Sequence, residues 1–168
     1  MTVVPHHSAP LAKDFAARAQ AVALAAPRVL DLSACEGEFG LAMARANPHA
    51  TVDALDSAPA LAVARKRVVA EGLSERFRFL EGSALELAFD GPYDVALFPN
   101  VLGHFDRATA ERFLIKVRRA LVPGGKALTA DDICTAAQLR ALFRAAGFAA
   151  VTLEQSPTQP FTVVVAEA

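Results

Sequence analysis

Two aspartates, Asp31 and Asp56, each close a short apolar run, and a loop of small residues follows the first. The first stretch reads Val29-Leu30-Asp31-Leu32-Ser33-Ala34-Cys35-Glu36-Gly37-Glu38-Phe39-Gly40. The second, Thr51-Val52-Asp53-Ala54-Leu55, ends at Asp56. Such runs are too short for helices and read as buried strands. A strand, a small-residue loop, a helix and a second strand ending in an acid can hold a nucleotide-like ligand at a sheet edge. The loop lets the ligand approach the backbone, and the second carboxylate accepts hydrogen bonds from ribose hydroxyls. Such units place the acid about 20 residues beyond the loop, and the step from Gly37 to Asp56 fits.

The remaining elements alternate. Leu11 to Ala25 reads as an alanine-rich helix stopped by Pro27, after a loose lead over Met1 to Pro10. Arg28 to Leu32 is the first strand. Phe39 to Ala46 is a helix closed by Asn47-Pro48, because a residue before proline avoids the helical region. Thr51 to Leu55 is a strand. Ser57 then caps a helix with Pro59 in its first turn, running to about Ala70, with Gly72 as a left-handed stop. Phe77 to Leu80 and Tyr93 to Phe98 are strands three and four. Asp106 caps a helix from Arg107 to Leu121 whose Phe113, Leu114, Val117 and Leu121 share one face. Pro123-Gly124-Gly125 turns into a fifth strand, Lys126 to Ala130. Thr135-x-x-Gln138 has capping-box form and opens a helix ending at Gly147. Phe148 to Leu153 and Phe161 to Val165 are the last strands. Their linker is too short for a crossover, so they pair antiparallel if adjacent. The expected class is α/β: a Rossmann-like three-layer sandwich with a seven-stranded, mostly parallel sheet.

Composition excludes several partners. The 168 residues carry 17 basic and 18 acidic side chains, which offers no charge surplus for nucleic acid or an anionic membrane. A chain of this length fits one domain, residues 1–168, with a core that needs no staples. Cys35 and Cys134 have no metal-like spacing and read as free thiols, and no metal site is expected. His6-His7 lies in the loose lead. The triplet Arg65-Lys66-Arg67 reads as a solvated helix face. No run reaches the 18 or so apolar residues of a membrane span, and no signal peptide is read. The expected location is cytoplasmic. Oligomeric state is not legible.

Two patterns compete for the first loop. Gly-x-Gly-x-x-Gly would fall on Cys35, Gly37 and Gly40 with its first glycine replaced, and suggests a dinucleotide. Asp-x-Gly-x-Gly-x-Gly would fall on Asp31, Ser33, Cys35 and Gly37 with two glycines replaced by small residues. Neither match is complete.

Further landmarks follow in order. Gly82-Ser83-Ala84 succeeds strand three. Pro99-Asn100-Val101-Leu102-Gly103-His104-Phe105-Asp106 succeeds strand four. Leu121-Val122-Pro123-Gly124-Gly125-Lys126 leads into strand five. With Asp31 and the terminal strand pair, this order resembles the class I S-adenosylmethionine-dependent methyltransferases from about Arg28 to Ala166. It is most similar to the catalytic half of bacterial small-molecule O-methyltransferases. The resemblance implies a sheet of order 3-2-1-4-5-7-6 with strand seven antiparallel. It implies S-adenosylmethionine as cofactor, S-adenosylhomocysteine as product, and a small-molecule acceptor methylated at a hydroxyl oxygen. It also implies that Asp31, Ser33, Cys35 and Gly37 lie along the amino-acid part of the cofactor. Asp56, with Ser57 beside it, would bind the ribose. Gly82, Ser83 and Ala84 would border the adenine. Asn100 and Leu102 would face the methyl donor and substrate, and Asn100, His104 and Asp131 would be the residues at the chemistry.

The sequence departs from that family in three places. Where relatives often carry a histidine base, this chain has Gly103, and His104 stands one residue later. One residue of offset turns a side chain by about 100°. Between strand five and the helix from Thr135 only Asp132-Ile133-Cys134 remain, where relatives carry a longer covering segment. The winged-helix dimerisation domain usual in the family is not part of this sequence. Two further readings therefore stand beside the enzyme: a cofactor-binding module with weak or lost catalysis, and a small NAD(P)-binding oxidoreductase.

Overall fold

A computed structural model describes residues 8–20, 25–131, 135–155 and 161–168. The strands are β1 (Arg28–Asp31), β2 (Thr51–Asp56), β3 (Phe77–Glu81), β4 (Tyr93–Leu97), β5 (Leu121–Asp131), β6 (Ala150–Gln155) and β7 (Thr162–Glu167). The helices are α1 (Ser8–Gln20), α2 (Glu38–Ala46), α3 (Ala58–Ala70), α4 (Arg107–Ala120) and α5 (Ala136–Ala145). The sheet order is β3-β2-β1-β4-β5-β7-β6, as expected. Pairs from β3 through β5 are parallel, and β7 runs antiparallel to both β5 and β6.

Successive strand residues face opposite layers, because side chains alternate across a sheet. Val29, Val52, Val95 and Leu97 pack with Phe15, Phe39 and Leu61 of α1, α2 and α3. Leu30, Leu55, Ala96 and Val164 pack with Phe113, Leu114, Val117 and Phe143 of α4 and α5. Both faces of the central strands are therefore dry, which is why Val29-Leu30 of β1 and Val95-Ala96-Leu97 of β4 are apolar on successive positions.

Local signals place the boundaries. Asp106 caps α4, accepting from the Thr109 N–H at 2.7 Å. Thr135 and Gln138 make the reciprocal capping box of α5. Such a cap stabilises by about 1 kcal/mol. Gly72 and Gly147 both adopt positive φ just beyond their helices. Ser57 precedes α3 in extended geometry, but its side chain makes no cap bond.

Three expectations are corrected. The loose lead shortens, because α1 begins at Ser8; Met1 to His7, including His6-His7, lie outside the described residues. Pro123-Gly124-Gly125 is not a turn ahead of β5 but a bulge within it. Tyr93 pairs with Leu121, whereas Val95 pairs with Lys126. The Gly124 N–H and Gly125 carbonyl are taken up by the backbone of Ala168. The basic triplet is not wholly solvated. Arg65 stacks over Phe79 at 4.3 Å, and Arg67 donates to the Glu36 carbonyl and the Glu38 carboxylate. Asp132-Ile133-Cys134 lies outside the described residues. Among those described, no helix is long and apolar enough to cross a membrane, and no group of side chains could hold a metal ion.

Candidate functional site

The strand order reverses between β1 and β4. In open α/β sheets the crevice beyond the carboxyl ends at such a switch point is where ligands bind. Asp31 sits there, opposite Ala54 on one side and Leu97 on the other.

Asp31 is fully buried. Its Oδ2 accepts from the Gly40 N–H at 3.0 Å, and the Ser33 N–H also supports the carboxylate. Gly40 is required for this approach: a Cβ there would stand 3.1 Å from Asp31 Oδ2 and 3.0 Å from Val52. Asp31 Oδ1 is buried with no partner. Burial pushes the carboxyl up to about 7, against the two N–H groups that pull it down, and the charge of Asp56 adds to the rise. A buried orphan oxygen is costly unless a ligand satisfies it, and a group lifted this far in a crevice is a mark of a functional site.

The loop beyond Asp31 turns sharply. Cys35 has φ 43° and Gly37 φ 81°. A Cβ on Gly37 would lie 3.2 Å from Ala64 Cβ, so glycine lets the loop lie against α3. Ser33 Oγ and Cys35 Sγ are 3.8 Å apart. Partial desolvation raises the Cys35 thiol, and the carboxylates of Asp56, Asp31 and Glu36 add to the shift.

Asp56 joins the loop to the end of β2. Its Oδ2 accepts from the Cys35 N–H at 2.9 Å and its Oδ1 from the Ser57 N–H at 2.7 Å. Its own carbonyl accepts from the Gly82 N–H at 3.1 Å. Each oxygen of an ionised carboxylate retains acceptor capacity beyond one such bond. Asp31, Ser33, Cys35, Asp56, Ser57 and Gly82 thus form one linked group, with Gly37 in the same loop. Ser83 and Ala84 continue from it, and each already accepts one hydrogen bond. Ser83 Oγ accepts from the Leu85 N–H at 3.2 Å, a local serine turn. The Ala84 carbonyl accepts from Lys116 Nζ at 2.9 Å.

The residues after β4 form a second group. Asn100 adopts φ 57° and donates its N–H to the Ala130 carbonyl at 2.9 Å. Leu102, Gly103 and His104 make one 3-10 turn. Leu102 is buried and packs in the core shared with α4 and α5, which anchors the turn. Asp131, buried at the end of β5, accepts from the Gly103 N–H through Oδ2 at 3.0 Å. Its carboxylate therefore addresses the turn itself. His104 is exposed, with its backbone N–H donated to the Val101 carbonyl. Gly103 does not adopt a positive φ.

Two residues that brace the site's loops from outside were missed from sequence. Arg67 of α3 holds the Glu36 carbonyl of the first loop at 3.1 Å, and Lys116 of α4 holds the third. Both come from helices remote in sequence. The only hint was a basic residue on a helix face, which usually means a solvated position.

The orphan Oδ1 of Asp31 fits a ligand that brings a cationic donor, and the carboxylate of Asp56 fits a hydroxyl donor. An α-amino acid joined to a ribonucleoside carries both.

Comparison with known proteins agrees. A methyltransferase-domain sequence profile matches residues 29–125. The chain is 39% identical over 101 residues to demethylmenaquinone methyltransferase of Thermus thermophilus, covering 59% of this chain and 44% of that protein. It is 33% identical over 148 residues to release factor glutamine methyltransferase of Deinococcus radiodurans, covering 74% and 52%. A protein of Nostoc punctiforme PCC 73102, provisionally assigned as an O-methyltransferase, superposes with TM-score 0.89 at 31% identity, over 96% of this chain and 56% of that one. The chain spans about half the length of the relatives it matches. With the strand order, the switch-point carboxylate and the profile in agreement, this chain belongs to the methyltransferase-domain family and has the fold of its class I, S-adenosylmethionine-dependent members.

Proposed function

We propose that this chain binds S-adenosylmethionine and directs its methyl group to a hydroxyl oxygen of a small-molecule acceptor. The observation that carries the reading is the buried, unpartnered Oδ1 of Asp31 at the switch point, bonded through the loop to Asp56. In this assignment Asp31 receives the amino group of the cofactor's amino-acid part, and Asp56 receives the ribose hydroxyls. The loop from Ser33 to Gly37 lies between them, and Ser83 and Ala84 flank the base. Bound there, S-adenosylmethionine would supply an activated methyl on its sulfonium, and the proton of the acceptor hydroxyl would pass to water.

The protein's part is alignment, which can supply much of the rate in such a displacement. Asn100, held in left-handed geometry, stands at the methyl end, and Asp131 holds the adjoining turn. Their reach toward an acceptor is assigned from this placement. Because His104 is exposed and Gly103 stands at the position of a base, the reading favours an acceptor that ionises readily, such as a phenol. The relatives bear names that differ in acceptor, one a quinone and one a glutamine, so the acceptor is read from this site rather than from them. Small size and cytoplasmic location belong to the same proposal.

Calorimetric titration with S-adenosylhomocysteine, alongside methyl-transfer assays on a panel of phenols, tests it. Saturable one-site binding with turnover supports the enzyme. Binding without turnover on any acceptor would turn the reading to a cofactor-binding module. Binding of NADH in place of S-adenosylhomocysteine would overturn it.

A further inference from the structure

Lys116, Arg112 and Arg119 lie on one face of α4, spaced by four and three residues, and line the same groove. Residues at this spacing stack along one side of a helix. Like charges so placed repel, and cost rather than contribute helix stability. Opposite them, the segment between β3 and β4 contributes Ala88 and Phe89, and α4 adds Ile115. The groove measures about 500 Å³, within the roughly 300–1,000 Å³ usual for small-molecule sites. None of its lining residues is acidic. Among the described residues, no carboxylate makes an ion pair with any of the three cations, and the Asp106 carboxylate at the start of α4 acts on Arg112 only electrostatically.

The cations are not equivalent. Lys116 is half-buried, 4.4 Å over the Phe89 ring, and gives two of its three N–H donors to the Ala84 and Leu85 carbonyls. Arg112 gives one N–H to Thr109 Oγ1 at 3.0 Å. Arg112 and Arg119 are exposed. Forked guanidinium groups match the geometry of phosphate oxygens. A flat or apolar body would cover Phe89, Ile115 and Ala88.

We propose that this groove is a second small-molecule site, separate from the switch-point crevice, that takes a phosphate monoester with an aromatic or apolar body. The phosphate lies against Arg112, Arg119 and the remaining donor of Lys116, and the body lies along Phe89 and Ile115. A dianion suits three cations better than a carboxylate does. The site does not depend on the methyl-transfer reading.

The probe is 1-naphthyl phosphate, titrated into the whole chain with and without saturating S-adenosylhomocysteine, and followed by calorimetry and amide shifts. Saturable binding is expected, with shifts confined to α4 and residues 84–89. It should weaken as salt is raised, because exposed charges are screened. 1-Naphthol and 1-naphthoate should each bind several-fold more weakly. R112Q/R119Q should weaken the phosphate at least tenfold while S-adenosylhomocysteine affinity stays within twofold. K116M serves as a second variant, also expected to weaken the phosphate. Absence of saturable binding, equal affinity for the naphthoate, indifference to R112Q/R119Q, or displacement of the probe by S-adenosylhomocysteine would each overturn the site. If S-adenosylhomocysteine itself fails to bind, the proposed function falls, and the groove is still judged by the probe.

Discussion

The two ends of the switch-point crevice use their acids differently. At the β1–β2 end, Asp31 and Asp56 each hold backbone N–H groups and still have something to offer: an orphan oxygen on one, spare acceptor sites on the other. At the β4–β5 end, buried Asp131 holds the Gly103 N–H of the turn through Oδ2, and Leu102 packs in the core. In the proposed function the first end receives the cofactor, and the second is a shaped turn that leaves the chemistry to Asn100, to exposed His104 and to the acceptor itself. This difference implies that losses at the first end appear in affinity and losses at the second in rate.

Removal of the Asp56 carboxylate should break the first end most severely. Losing a charged partner costs about 1.5–3 kcal/mol, or roughly 10- to 150-fold in affinity. Asp56→Ala is expected to weaken S-adenosylhomocysteine by that order in calorimetry. Asp56→Asn should lose less, since its amide oxygen can still accept from Cys35 or Ser57. Unchanged affinity in a folded Asp56→Ala protein would dissolve the contrast between the two ends.

Asp131→Ala should show the opposite signature. Misplacing a reacting group by about 1 Å can cost up to about 10²-fold. The turnover rate is expected to fall toward that limit while cofactor affinity changes little. Asp131→Asn keeps an acceptor for the Gly103 N–H and should recover most of the rate. An affinity loss as large as that of Asp56→Ala would mean that the two ends are not separable.

Asp31 sharpens the comparison through pH. Its folded value is raised from 3.8 to about 7, so its contribution to stability is full below 3.8 and is lost as pH rises through 7. An ammonium at Oδ1 favours the ionised form. S-adenosylhomocysteine affinity should therefore climb between about pH 6 and 7.5, by at most tenfold per unit, with proton release on binding. Asp31→Asn should flatten the profile. A profile already flat in the parent protein would remove Asp31 from contact with the ligand.

The smallest effect is expected at His104. His104→Ala should slow transfer by less than about tenfold, against the 10²–10⁴-fold of a true general base. Since Gly103 has no positive φ, Gly103→His carries no left-handed strain. It should help weakly acidic hydroxyls more than phenols. A collapse of activity in folded His104→Ala would make the offset histidine the base.

Much of this protein was determined by local pattern. Apolar runs broken by Pro27, Pro48 and Gly91-Pro92, the caps at Asp106 and Thr135, and a linker too short for a crossover decide the strands, helices and terminal antiparallel pair. Each is a short-range constraint, legible without coordinates. Asp31, Asp56 and the small-residue loop were legible for the same reason: each sits at the end of an element the pattern defines. What the sequence did not contain was partnership across distance. Asp131 meeting Gly103, Lys116 meeting Ala84, Arg67 meeting Glu36 and Leu102 turning into the core each join residues 20 or more apart, or set a side chain's direction. Packing of α3 and α4 against the sheet decides those contacts. A basic residue on a helix looks the same in sequence whether it faces water or holds a loop. Only the tertiary structure shows which carbonyl its ammonium or guanidinium meets.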